Sequence, residues 1–335
     1  MMIGLVVSRV AGMLLVVWLL ATLVFMLGTV VPGDPARAYA GPGATAEVLA
    51  DKRAELGLDR PFPERYVDYL GKLATLDLSE SVTTRNPVRD DLADRTPATL
   101  ELALVAALLA IAMGGIVGAA TARAKRGSAA IRVLLSAGAS VPSFTLGLLL
   151  LLVFYGQLDV LPAGGRLSPE HGEFDGATGF LLLDGVLAGR PEITLDAAWH
   201  LILPAFCLAL TPALLIARVF RSSIHSTLRA DHVRTVRASG MPEGRIFRRH
   251  VVRNSLNAPL TVTGLTFGVM LGSTAVVELI FGWPGLGLYV SQAIPQSDIP
   301  AIAGVTLVVG LAFVLGNALV DIAQTVADPR LRTVR

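Results

Sequence analysis

Cysteine is nearly missing from this chain. Cys207 is the single one in 335 residues, and it sits inside an apolar run. An intramolecular disulfide framework is therefore impossible. Charge is scarce as well: only 16% of the residues are Asp, Glu, Lys or Arg, against roughly 25% in an ordinary soluble domain. With 53% hydrophobic residues and a mean hydropathy of +0.64, this is a membrane composition. The usual catalytic signatures are missing too. There is no G-x-x-x-x-G-K-[ST] phosphate loop, so ATP has no ordinary cradle here. No H-E-x-x-H and no G-x-S-x-G occur, and the five histidines (171, 200, 225, 232, 250) are scattered. Glu170, His171, Glu173 and Asp175 could ligate a metal, but mixed ligands on a flexible loop are far more often a solvated turn. Ser140 and Ser143 flank Pro142 within an apolar run; such groups more often serve packing and backbone relief than intramembrane proteolysis. No internal repeat is visible, which removes the inverted-repeat signature of many secondary transporters.

What is present is a series of apolar runs. Residues 10–31 carry no charge and are long enough to cross a ~30 Å hydrocarbon core. The run exceeds a signal-peptide core and lacks a small-x-small cleavage site, so it reads as a retained anchor. Further runs fall at about 99–122, 129–155, 199–217, 260–281 and 300–321, predicting an all-α integral membrane protein with six transmembrane helices. Orientation follows the arginines of the short loops. Arg123, Lys125, Arg126 and Arg132 gather between the second and third runs, and Arg330, Arg332 and Arg335 in the tail. The segment 282–299 has no Lys or Arg, and 156–198 has Arg166 and Arg190 against seven acids. Both termini are expected in the cytoplasm.

The chain divides by this reading into a first transmembrane helix (1–31), an extracytoplasmic cap (32–97) and a five-span core (98–335). The cap is expected to be helical, with one short helix over 46–56. A second would carry the stripe Phe62, Tyr66, Tyr69, Leu70 and Leu73 behind Pro61 and Pro63. The loop between the third and fourth runs (about 156–198), Gly-rich and acidic around Glu170–Gly176, is expected to be irregular. Within the spans, Glu101, Glu278 and the Thr211-Pro212 pair are the polar features, and Thr211, Pro212 and Glu278 are candidates for lining a pathway. Glycines 114, 115, 118, 264, 268 and 272 would permit close helix approach.

The richest stretch is a basic island at 218–259. It holds nine arginines (218, 221, 229, 234, 237, 245, 248, 249, 253) against Asp231 and Glu243. Val219, Ile224, Leu228, Val233 and Val236 give a helical pattern. Gly240 breaks it, Met241-Pro242-Glu243-Gly244 reads as a turn, and Ile246, Phe247, Val251 and Val252 give a second amphipathic segment. A nucleic-acid role is poorly supported, since no aromatics interleave and the island is pinned between two spans. Contact with anionic lipid and docking of a soluble partner both remain open on composition. The unusual length of the loop favours docking.

The residues themselves resemble a known family. Arg234-Thr235-Val236-Arg237-Ala238-Ser239-Gly240, followed by His250-Val251-Val252-Arg253-Asn254-Ser255-Leu256, is similar to the cytoplasmic loop of permease subunits in bacterial ABC importers. More narrowly, it resembles the dipeptide/oligopeptide/nickel permease B type. Pro32-Gly33-Asp34-Pro35, Leu56-Gly57-Leu58-Asp59-Arg60-Pro61, His200-Leu201-Ile202-Leu203-Pro204, the run from Glu278 through Trp283-Pro284-Gly285-Leu286-Gly287, and Asp328-Pro329-Arg330 match its other motifs in order. Val236 and Ser239 depart from the usual Ala and Lys, and the loop's closing proline, Pro259, is displaced by one position, which blurs the start of the fifth span.

The resemblance implies a non-catalytic permease subunit of a bacterial cell membrane importer for di- or oligopeptides; nickel, glutathione or another small solute is the alternative cargo. A stand-alone secondary transporter is the alternative from another class, but no charged midplane site is visible. The implied partners are a homologous second permease, two ABC ATPase subunits carrying the ATP and Mg, an extracytoplasmic substrate-binding protein, and the lipid bilayer. This chain itself would hold no cofactor or metal. Coupling to the ATPases would fall on Arg234, Thr235, Arg237, Ala238, Gly240, Met241 and Arg245.

Overall fold

A computed structural model describes residues 2–30, 35–41, 43–123, 141–172 and 174–327. The Pro32-Gly33-Asp34 part of one motif, the basic residues at 125, 126 and 132, the first half of the third expected span, Glu173, and the tail from Asp328 lie outside them. Among the described residues the regular structure is entirely helical. In chain order the helices are α1 (Met2–Val30), α2 (Pro35–Ala40), α3 (Ala46–Glu55), α4 (Phe62–Ala74), α5 (Val88–Arg123) and α6 (Ser143–Leu150, continued as a π-helical segment to Gln157). Then come α7 (Leu181–Leu187), α8 (Pro191–Leu228), α9 (Asp231–Ala238), α10 (Glu243–Ile246, continued as a π-helical segment to Val252), α11 (Asn257–Ile280), α12 (Leu286–Ala293) and α13 (Ile299–Ala327).

Among the described residues, four stretches are long and apolar enough to cross a membrane: Val88–Arg123, Pro191–Leu228, Asn257–Ile280 and Ile299–Val320. Ala11–Met26 and Ser143–Gln157 are shorter apolar helical stretches. α8 is the central element. Two-thirds (67%) of its most apolar window is buried by protein, against 28–33% in the other three. Its inward face meets α5 through Gly114 and Gly118. A methyl group at Gly114 would come within 2.8 Å of the Ala213 carbonyl, and one at Gly118 within 2.9 Å of that of Ala217. Without lipid-exclusion from water to drive association, this backbone-to-backbone approach is how such helices gain packing. Between α11 and α13 the glycines instead seat side chains, Gly264 that of Val320 and Gly268 that of Phe313, whereas Gly115 and Gly272 face open space.

Several boundaries differ from the sequence expectation. α5 begins at Val88 and runs through Pro97, so the cap-to-core boundary drawn at 97 falls inside one continuous helix. α8 starts at Pro191, passes Pro204 and Pro212 unbroken, and carries eleven residues of the basic island as its last three turns. Prolines read as stops in soluble helices are tolerated here because packed neighbours satisfy the freed backbone groups. The loop before α8, expected to be irregular, contains α7 and a short 3₁₀ turn at Pro169–His171. Helices α3 and α4 fall where the sequence placed them. α4 lies against α1: Phe25 stacks with Phe62, Tyr66 and Tyr69 at 5.2–5.4 Å between ring centres, and Thr22 shares a 2.7 Å hydrogen bond with Tyr66.

Candidate functional site

The island forms a small platform at one end of the bundle. α8 ends at Leu228, α9 follows after a two-residue turn, and α10 follows α9 after Gly240. Gly240 has φ +77°, the left-handed region where a Cβ meets its own backbone. No other atom lies within 4 Å of where that Cβ would stand. The glycine is thus required by backbone conformation, with nothing crowding it. Under the turn is an apolar base. Val233, Ile246, Val251 and Ile224 are fully buried, with Phe220 and Ala122 nearly so, and Val236, Met241, Phe247 and Val252 pack against them. Burying a Val or Ile side chain contributes about 1.5–3 kcal/mol, so these residues fix the platform firmly to α5 and α8.

Polar ties complete the attachment. Ser255 is fully buried; its Oγ donates to the Val251 carbonyl (2.8 Å) and to Thr227 Oγ1 (2.9 Å), while Ser223 Oγ donates to the Ser255 carbonyl (3.0 Å). Arg123, at the end of α5, lies 4.7 Å over the Phe247 ring. Arg237 grips Glu243 across the Gly240 turn through two bonds, Nε–Oε1 at 2.5 Å and Nη2–Oε2 at 3.2 Å. Both groups are exposed, and the Arg237 guanidinium holds the Glu243 carboxyl below its ordinary value.

The structure brings Arg234, Thr235, Arg237, Ala238, Gly240 and Arg245 together on the exposed face of this platform, with Met241 half-buried at its edge. Thr235 Oγ1 donates to the Asp231 carbonyl (3.1 Å), and Arg234, whose side chain is 71% exposed, lies 3.5 Å from Asp231. Eight of the nine island arginines are exposed; Arg221 alone is buried. A row of guanidiniums on a rigid base suits bidentate recognition of carboxylates on another macromolecule.

The candidates for a pathway sit elsewhere and apart. Thr211 is exposed and Pro212 buried, both on α8. Glu278 is completely buried at the far end of α11. Its Oε1 accepts from Thr99 Oγ1 (2.7 Å), and its Oε2 accepts from the backbone N–H groups of Gly287 (2.7 Å) and Leu288 (3.1 Å). It therefore caps the first turn of α12, where orphan N–H donors and the positive helix end favour an anion. Gly285 makes room: a Cβ there would press on the Glu278 carboxylate and the Thr99 hydroxyl.

Similar clamps occupy the rest of that end. Glu101 receives Arg166 Nη2 (2.6 Å) and the N–H of Leu182 (2.8 Å), and Trp283 Nε1 donates to the Ala98 carbonyl (2.9 Å). Asp298 accepts from Ser81 Oγ (2.5 Å), Thr83 N (2.9 Å) and Ala301 N (3.2 Å). Asp91 accepts from Thr84 Oγ1 and from the Tyr289 hydroxyl (2.9 Å), and burial pushes the Tyr289 phenol up to about 12. Among the described residues, no group of three or more His, Cys, Asp and Glu could hold a metal ion. The Arg166–Glu101 tie and the Ser255 lock were missed by sequence reading; the first spans 65 residues and leaves no local pattern.

Residues 106–333 match the family described as "Binding-protein-dependent transport system inner membrane component", and residues 2–103 match its N-terminal companion family. The chain belongs to the binding-protein-dependent transport permeases. Its relatives are similar over nearly their full lengths. It is 39% identical over 331 residues to the probable D,D-dipeptide transport system permease protein of Escherichia coli, covering 97% of this chain and 96% of that one. Against the di/tripeptide transport system permease protein of Pseudomonas aeruginosa it is 38% identical over 334 residues, covering 98% and 99%. Against the dipeptide transport system permease protein of Alkalihalophilus pseudofirmus the figures are 36% over 311 residues, with 92% and 93% covered. As a permease of this family it is an inner membrane component of a transport system, and the family description itself implies a substrate-binding protein as a partner.

Proposed function

We propose that this permease forms half of the path by which di- or oligopeptides enter the cell, and that the 218–259 loop is where ATPase subunits push on it. The carrying observation is the platform: exposed Arg234, Arg237 and Arg245 around a left-handed Gly240, on a base buried against α5 and α8. Force applied there reaches α8, the most buried helix of the bundle, without passing through a flexible segment.

In this reading the bundle crosses the membrane six times, with both termini and the arginine platform in the cytoplasm and the helices α2–α4 on the outer face. A homologous permease supplies the other half of the path, and two ATPase subunits, which carry the ATP and Mg, each receive a platform. ATP-driven closure of the ATPases moves the two platforms together, and the bundle shifts to the state that makes the better contacts. The binding protein delivers peptide on the α2–α4 side. The names of the relatives support peptide as cargo, since all three are peptide permeases. A secondary transporter would need a free buried charge to bind a coupling ion, and Glu101 and Glu278 are both engaged by the chain's own donors.

The test is Gly240→Val. A β-branched residue at φ +77° disfavours the turn by about 1–2 kcal/mol while touching nothing else. The variant is expected to reach the membrane at normal amounts and to lose peptide uptake. Normal uptake at matched expression would overturn the docking role. A deletion of residues 41–60 is expected to abolish uptake while leaving ATPase association intact; loss of that association would make the segment a folding element instead.

A further inference from the structure

A cleft of about 220 Å³ opens between the end of α1, the start of α13 and the cap helix α4. Its floor is apolar: Val24, Phe25, Leu73, Leu78, Ile299 and Ala303. Its rim is not. Arg65, Tyr69 and Lys72 recur along one stripe of α4 at helical spacing and all line the cleft. Neither Arg65 nor Lys72 has an ion-pair partner among the described residues. The Tyr69 hydroxyl is buried and has no hydrogen-bond partner there, a position that a polar group holds at a penalty unless something completes it. Asp77 also lines the cleft, but its carboxylate already accepts from the N–H of Ser79 (3.1 Å).

The depth of this cleft is fixed by the helices that make it. Residues 24–29 are the last turns of α1, and 299–303 are the first turns of the membrane-crossing α13. The cleft therefore lies where hydrocarbon gives way to headgroups, on either assignment of sides. Tyr66, Tyr69 and Phe62 around Phe25 form the aromatic collar expected at that level. Below the cleft, the flank of α1 is bare: Leu15, Leu19 and Leu23 are each more than half exposed.

We infer that the cleft holds a phospholipid, with its phosphate against Arg65, Lys72 and the Tyr69 hydroxyl and an acyl chain running over the apolar floor onto the bare flank of α1. The several oxygens of a phosphate group can accept from donors of all three kinds. An extended peptide would leave its backbone groups unpaired against the carbon-lined floor. The bound lipid would add a tie between α4 and α1, which otherwise meet through the Phe25 ring cluster and the Thr22–Tyr66 hydrogen bond.

The experiment uses the assembled transporter containing this subunit, reconstituted in nanodiscs of phosphatidylglycerol and phosphatidylethanolamine and then released for native mass spectrometry. The unaltered subunit is expected to retain phosphatidylglycerol. The double variant Arg65→Glu with Lys72→Glu is expected to lose at least about tenfold of it, and Tyr69→Phe a smaller share. The charge-keeping pair Arg65→Lys with Lys72→Arg is expected to retain it. Equal retention in the charge-reversed variant, with unchanged subunit composition and melting curve, would overturn the site. Should that variant fail to assemble, a photoreactive residue at Leu73 decides the matter: a lipid adduct supports the assignment, and an adduct with a polypeptide, or with nothing, refutes it.

Discussion

Asp91, Glu101, Asp184, Glu278 and Asp298 are each no more than 5% exposed at one end of the bundle, while at the other end eight of nine arginines stand in the open. The carboxylates point inward, and those of Asp91, Glu101, Glu278 and Asp298 are engaged by contacts that hold loops to helices. The arginines point outward and are left available, resting on an aliphatic base that needs no charge to hold it. A charge buried at the first end is a fastening, and its removal unfolds something. On the proposed docking role, a charge at the second end is an address, and its removal is expected to leave the fold in place while the partner is lost.

The largest effect that would sharpen this comparison is expected at Arg166. Its side chain is 13% exposed and pairs at 2.6 Å with a Glu101 that is 3% exposed. Arg166→Met strands the buried carboxylate and is expected to destabilise the detergent-solubilised protein by about 3–5 kcal/mol, whereas Arg166→Met with Glu101→Leu recovers a large part of it. Denaturant unfolding of the two variants measures the difference. Glu278→Leu follows, leaving the Thr99 hydroxyl and two N–H groups without an acceptor, at about 3 kcal/mol; Glu278→Gln keeps one acceptor oxygen and is expected to lose about 1 kcal/mol. Thermal melting ranks these.

At the arginine end, Gly240→Asn is expected to keep more uptake than Gly240→Val, since Asn tolerates the left-handed region; equal loss from both would point to the side chain rather than the backbone. The smallest effect is that of pH on the Arg237–Glu243 clasp. Glu243 is held below its ordinary value in the folded chain, so the clasp contributes above the unfolded carboxylate range and fades as pH falls through the lowered value. Amide protection over residues 231–246, taken relative to the intrinsic exchange rate at each pH, is expected to fall in that acid window, with no change in global melting.

How much of this was legible in the sequence follows the same division. The exposed end announces itself locally: arginine density, the glycine break and the apolar spacing of Val233, Val236, Ile246 and Val251 are all near neighbours in the chain. Helix α4 was legible for the same reason, through the Phe62–Leu73 stripe. The buried end depends on partners far apart, such as Thr99 with Glu278 and Ser81 with Asp298, separated by 179 and 217 residues. Glu278 could be picked out as an unusual carboxylate, but its engagement with α12 had no local sign. The second and fourth spans were expected from about 99 and 199, whereas α5 and α8 begin at Val88 and Pro191, because their polar first turns extend no apolar run.

The reading of the arginine end is tested most directly by cross-linking. Cys207 is buried, with its Sγ donating to the Ser143 carbonyl at 3.2 Å, so Ala238→Cys places the only exposed thiol of this chain on the platform. In membranes holding the whole transporter, a short bifunctional thiol reagent is expected to join Ala238→Cys to a cysteine introduced in the ATPase subunit, with a yield that changes when ATP is added. Free labelling of that thiol by a soluble maleimide, equal with and without the ATPase subunits and with no cross-linked product, would contradict the account.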